Sequence, residues 1–226
     1  MTSNLETDVW AVVDVWSDIM CPFCYMGHEL LSRAVDQFEH PVKVHYHSFQ
    51  LMPHLSADEG VDLADLLERE RGFPRSQAAE MNARVTERAA QLGLEYNLDR
   101  AVGINTRAAH RLIHYAAVRG LQDEMVERVF RAYFTDGLNT GDYGVLADLA
   151  AEIGLDRVAA REALDNGAYD DTVDRDIQQA RELGINGVPF FVFDSKYAVS
   201  GAQPIEVFVR ALHTTWEERS GSTPDR

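Results

Sequence analysis

The sequence predicts an α/β protein in which one small sheet domain is interrupted by a helical insertion. Three patterns lead there: the chain opens strand–helix–strand, its middle shows only helical periodicity, and its end returns to helix–strand–strand–helix. The opening strand is the valine-rich run Val9 to Trp16, short and closed by polar Ser17-Asp18, which is how a buried strand reads. Pro22 suits the first position of a helix, where a missing N–H costs nothing. Leu30, Leu31, Ala34 and Phe38 carry that helix at the right spacing until Pro41 breaks it. Val42, Val44 and Tyr46 alternate with Lys43, His45 and His47, a period of two and hence a second strand.

In the middle, apolar stripes recur with helical spacing: Leu63, Leu66 and Leu67 before Gly72; Met81, Val85, Ala89 and Leu92 before Gly93; Ala109, Leu112, Ile113 and Ala116 before Gly120. Met125 to Phe134, Leu146 to Ile153 and Leu155 to Asn166 continue the series. Glycine just past an amphipathic stripe is the C-terminal helix signal. The methionine and phenylalanines between 125 and 134 read as core, not as a binding face. Beyond them, Asp171 can cap a helix through Val173, Ile177, Ala180 and Leu183, stopped by Gly184. Phe190 to Phe193 and Tyr197 to Ser200 are strands joined by a three-residue connection. Pro204 opens a last helix through Trp216, and Ser220 to Arg226 is a polar tail. The sheet domain therefore comprises residues 1–58 and 170–226, with the helical insertion at 59–169.

With 37 acidic against 21 basic residues the chain carries a net charge of −16, which disfavours nucleic acid and anionic membrane as partners. No run of apolar residues is long enough to span a bilayer. Met1 to Asp8 holds no apolar core of a leader peptide. Both cysteines of the chain lie in one motif, leaving none for a structural disulfide, so a reducing cytoplasm is the expected compartment.

That motif, Cys21-Pro22-Phe23-Cys24, sits where the first strand gives way to the first helix. A cysteine at a helix N-terminus is stabilised as thiolate by unpaired N–H groups and the helix dipole. Cys21, at the N-cap, is the expected exposed nucleophile. Cys24, one turn in and more buried, is placed to resolve a mixed disulfide. Phe23 offers the thiolate neither charge nor hydrogen bond. The competing reading is half a zinc site completed by two of His28, His45 and His47; Pro22 within the motif and the strand-to-helix setting favour redox chemistry. Val188-Pro189, before the apolar run to Phe193, is either an ordinary strand start or, opposite a dithiol, a cis peptide that aims the Val188 backbone at a substrate strand.

The stretch from Ser17 to Gly27, the pair Asn105-Thr106 followed by Ala109-His110-Arg111-Leu112, and Gly187-Val188-Pro189 with Val199 to Pro204 resemble the DsbA family of thioredoxin-fold oxidoreductases, in particular its FrnE-like branch. The resemblance runs from about Val9 to Trp216. It implies a thioredoxin fold with an inserted helical domain, Cys21 as nucleophile, Cys24 as resolving thiol and Pro189 as the cis-proline. Phe23 stands where many of these proteins carry histidine.

Weaker signals leave alternatives open. Asp14 is either a buried acid beneath the dithiol that relays the Cys24 proton or a strand-end acid bonded to backbone. His110 and His114, four apart on one helix, are half-buried polar residues at the domain boundary, substrate-groove residues by analogy with the family, or metal ligands. The expected activity is disulfide exchange with a thiol- or disulfide-containing protein or small molecule, Pro22, Phe23, Val188 and His110 touching the substrate. It needs no metal or organic cofactor, glutathione serving at most as co-substrate, in a monomer or homodimer. The rivals are a glutathione-dependent isomerase or transferase of the kappa or 2-hydroxychromene-2-carboxylate type, whose isomerases use serine at the first motif position, and a chaperone or zinc-binding module.

Overall fold

A computed structural model describes residues 10–56 and 60–221. Val9, the segment Met1 to Asp8, the boundary between 58 and 59 and the tail beyond Gly221 lie outside the described residues. In chain order the elements are β1 (Ala11–Ser17), α1 (Pro22–Asp36), β2 (Val42–Ser48), β3 (Val61–Asp62), α2 (Leu63–Arg71), α3 (Arg75–Gln91), β4 (Val102–Gly103), α4 (Arg107–Ala117) and α5 (Gln122–Arg131). A π-helical turn (Ala132–Asp136) follows, then α6 (Tyr143–Glu152), α7 (Arg157–Asp165), α8 (Asp170–Glu182), β5 (Phe190–Phe193), β6 (Tyr197–Ser200) and α9 (Ile205–Gly221).

The main sheet has the order β2-β1-β5-β6. β1 and β2 are parallel, while β5 runs antiparallel to both β1 and β6. This is the thioredoxin arrangement. Alternation along β1 divides the interior: Val13 and Val15 pack with Met26, Leu30 and Leu31 of α1, whereas Trp16 packs with Ala180 and Ile185 at the end of α8. The first interior is continuous with the helical block, since Phe130, Phe134, Leu146 and Ala160 belong to it. Tyr25 makes the join through ring stacks on Phe130 (5.1 Å) and Tyr96 (5.8 Å).

Three details differ from the sequence reading. The insertion is not wholly helical: β3 and β4 pair as a short antiparallel ribbon, too brief to leave a periodic signal. The α5 stripe ends at Arg131 and loosens into the π turn. Tyr169, at φ 67°, takes the N-cap of α8, and Asp171 sits in its first turn, where an acid complements the helix dipole.

Gly27 is required by packing. A Cβ there would stand 2.9 Å from Phe191 Cζ and 3.0 Å from Pro189 Cγ, so only a bare Cα lets α1 meet the start of β5. Gly27→Ala is expected to cost about 1–3 kcal/mol by overpacking, read as a lower denaturation midpoint with unchanged m-value.

On the other face of the sheet His47 bridges two acids, Nε2 at 2.9 Å from Asp14 Oδ1 and Nδ1 at 3.1 Å from Asp176 Oδ1. Asp176 also accepts from the Ser48 N–H (2.7 Å) and meets His114 Nε2 at 2.9 Å. Burial opposes charge on His47, but the two carboxylates win and lift it from 6.5 to about 9. Asp14 and Asp176 are lowered by their histidines despite burial. The His47 contribution is thus complete below about 6.5 and lost as pH rises through about 9, while that of the acids disappears only below the ordinary carboxylate range. Replacing His47 with Asn should cost about 1.5–3 kcal/mol near neutrality, and thermal melts should show the gap from wild type closing as pH passes about 9.

Candidate active site

β1 ends at Ser17 and delivers the chain to a turn in which Cys21 N donates to Asp18 O (3.1 Å) and Cys24 N to Cys21 O (2.9 Å). Cys21 is the N-cap of α1 with extended backbone (φ −87°, ψ 113°), Pro22 follows in the first turn, and no acidic residue stands in that turn. Both cysteines are free thiols. The Cys21 S–H points at Val188 O, 3.5 Å away, and the Val188–Pro189 peptide is cis. The motif and the segment before β5 thus meet across 167 positions of sequence. The expectation that Cys21 is exposed is corrected: it is only 5% accessible, against 2% for Cys24, with the distant Val188 carbonyl set against its sulfur. Cys24 Sγ accepts from Asp18 N (3.5 Å). Burial first, then the adjacent Cys21 sulfur, push the Cys24 thiol well above its ordinary value.

Asp14 is not beneath the dithiol. Its even position in β1 places it with Trp16 on the α8 face, where it pairs with His47 and His45 and its carboxyl is lowered rather than raised. The buried acid at the motif is Asp18, wholly inaccessible, with Oδ2 accepting from Leu51 N (2.7 Å) and Oδ1 3.5 Å from His110 Nε2. An acid three residues before a cysteine was the one available sign of it. His110 is likewise not a groove residue: it is buried behind the motif, 3.0 Å from Phe49 O. His28 bonds Tyr46, and His114 bonds Ser48 and Asp176. Among the described residues no group of three or more His, Cys, Asp or Glu is arranged to hold a metal ion.

Cys21 opens onto an apolar groove of about 370 Å³. Met20, Pro22, Phe23, Leu51 and Met52 form one wall, and Leu63, Leu66, Leu67, Phe73, Met81 and Val85 from α2, α3 and their connection form the other. Asn82 supplies the one polar side chain besides the thiol, and no charged side chain lines the groove among the described residues. Phe23 (38% accessible) and Met81 (41%) present their faces to solvent at its mouth. Met125, Phe130 and Phe134 are fully buried core, as their spacing indicates, and Phe134 of the π turn also lines the groove. Two contacts clamp the helical block to the motif: Tyr96 OH donates to Pro22 O (2.7 Å), and Arg88 Nη2 donates to Ala202 O (2.6 Å) while its guanidinium lies 5.6 Å from the Phe23 ring centre. Nothing local in the sequence marks Tyr96 or Arg88 for this.

Among the described residues no helix is long and apolar enough to cross a membrane. The DSBA-like thioredoxin domain matches residues 12–213. A probable DsbA oxidoreductase from Streptomyces coelicolor superposes with a TM-score of 0.88 at 37% identity, covering 96% of this chain and 93% of that one. A 2-hydroxychromene-2-carboxylate isomerase (TM-score 0.70, 17% identity, 94% and 100% covered) shares the fold. So does the cytosolic disulfide reductase DsbM of Pseudomonas aeruginosa, in a structure with GSH (0.66, 21%, 91% and 99%). With the sheet order, the placement of the dithiol and nearly the full length matched, the chain belongs to the DsbA-like thioredoxin-domain family.

Proposed function

We propose that this protein is a thiol–disulfide oxidoreductase in which Cys21 exchanges with the substrate and Cys24 resolves the mixed disulfide. The observation that carries the reading is the Cys21 sulfur held between the α1 N-terminus and Val188 O, at the end of an apolar groove. Cys21 thiolate attacks a substrate disulfide, forming one S–S bond and releasing one substrate thiolate. Cys24 thiolate then attacks Cys21 Sγ and releases the second, leaving Cys21 and Cys24 joined. The reverse sequence oxidises a dithiol, and the reduction potential of the pair against its surroundings decides direction. Pro22 and Phe23 form the wall against which the substrate lies, and the Val188 backbone can pair with an extended peptide. The exchange uses no metal or organic cofactor; glutathione is the proposed co-substrate that resets the pair. The cytoplasm is its proposed site of action, as the cytosol is that of the disulfide reductase DsbM.

Cys21→Ser should abolish the acceleration of insulin reduction by dithiothreitol over the uncatalysed rate; undiminished acceleration would remove the assignment. Cys24→Ser should accumulate mixed disulfides on Cys21, identifiable by mass spectrometry. Protein partners support the oxidoreductase, whereas tight glutathione binding that survives loss of Cys24 supports the isomerase class. The groove makes a separate point. Met81→Glu puts a charge on an exposed groove residue, and should raise KM for an apolar disulfide peptide by about tenfold, the loss of one apolar contact plus a desolvated charge, with kcat largely retained.

A further inference from the structure

We propose that Met81 is an oxidation site: conversion of its thioether to the sulfoxide makes the groove polar and weakens its hold on apolar disulfides. The inference rests on the dithiol reading above and adds a means of regulating that site.

Methionine is unevenly placed in this chain. The sequence holds six, of which Met20, Met26, Met52, Met81 and Met125 are among the described residues. Met26 and Met125 are wholly buried. Met20, Met52 and Met81 all line the groove at Cys21, and all three are partly or largely exposed. Every described thioether that water can reach therefore stands where the substrate lies. Met81 is the most open of them, at 41% accessible. It shares one face of α3 with Val85 and Arg88, four and seven positions on. Arg88 reaches to 5.6 Å from the centre of the Phe23 ring, so this face looks across the groove at the motif.

The oxidant is hydrogen peroxide from the surroundings, and the step balances with it alone. The Met81 sulfur attacks the O–O bond and gains one oxygen, while the other leaves as water; sulfur gives up two electrons and the peroxide takes them. The product is polar and chiral where the thioether was apolar and flexible. Its oxygen is a hydrogen-bond acceptor that water satisfies until an apolar substrate is seated against it. Asn82 is the one polar side chain lining the groove besides the thiol, and a desolvated acceptor without a partner is costly. The cysteines are sheltered by comparison, at 5% and 2% accessible. Joined as a disulfide they also hold no thiolate for the peroxide to consume. In that form the open target beside the motif is the Met81 sulfur. A sulfoxide reductase returns the thioether, its dithiol becoming a disulfide as the oxygen leaves as water.

The test treats the intact protein, in its Cys21–Cys24 disulfide form, with hydrogen peroxide. Peptide mass spectrometry follows oxygen uptake at each methionine, and a thiol titration after reduction and desalting verifies that both cysteines survived. Met81 should be oxidised first, Met20 and Met52 later, and Met26 and Met125 last. KM for an apolar disulfide peptide should then rise about tenfold, with kcat largely retained, and the two methionine sulfoxide reductases, one for each epimer, should restore it. Met81→Leu removes the sulfur at nearly constant volume; measured against its own untreated form, its KM should not respond to peroxide. Oxidation of another methionine ahead of Met81, an unaltered KM once Met81 carries the oxygen, or a Leu variant that responds as wild type does would each overturn the assignment. Untreated wild type that neither forms the disulfide nor accelerates exchange would remove the dithiol reading itself, and that failure is visible before any peroxide is added.

Discussion

The approach of α1 to the chain at Val188–Phe191 is the contact on which the rest of the molecule depends. It brings the Cys21 sulfur to the Val188 carbonyl and sets Pro189 and Phe191 against the bare Cα of Gly27. Two strand pairings fix it from below. Trp16 opposite Phe190 and Val15 opposite Phe191 lock β5 to the strand that feeds the motif. A slip of one residue would exchange the two faces of β5, turning Phe191 out of the interior it shares with Phe208 and α1. The sheet register and the surroundings of the dithiol are therefore one constraint.

The two faces of the sheet carry opposite kinds of chemistry. On the α1 face hydrocarbon continues without a break into the helical block, and the groove beside Cys21 is an edge of that interior left uncovered. On the α8 face the interior is small, built on Trp16, Ala180 and Ile185, and is supplemented by the ion network of Asp14, His47, Asp176 and His114. Carboxylates and imidazoles that satisfy one another there are kept away from the thiols. Asp18 is the exception, a buried acid beside the motif.

Local order carries most of what the sequence reveals. The strand–helix junction at Pro22, the period-two run of β2, the glycine stops and the hairpin after Phe193 all follow from φ/ψ preferences and side-chain alternation, which act between near neighbours. The pairing of Cys21 with the Val188–Pro189 segment was legible for a different reason: a dithiol at a helix start gives a strand-opening proline a specific meaning. What stayed hidden depends on distant segments. Asp14 and Asp18 are both acids shortly before Cys21, and only the parity of β1 and the fold of the turn after it decide which lies behind the motif. Cys21 reads as exposed from its cap position because the burial comes from residues far along the chain. Groove walls from α2 and α3 look, residue by residue, like any amphipathic stripe.

The rings of Tyr25, Tyr96, Phe130 and Phe134 stack across the boundary between sheet and helices, and a single oily interior extends to both sides of them. The inserted helices are for that reason no detachable module. Excising them would strip one flank of the remaining sheet and leave its hydrocarbon facing water, so this segment cannot be shed or traded for an unrelated one without rebuilding the thiol-bearing half as well.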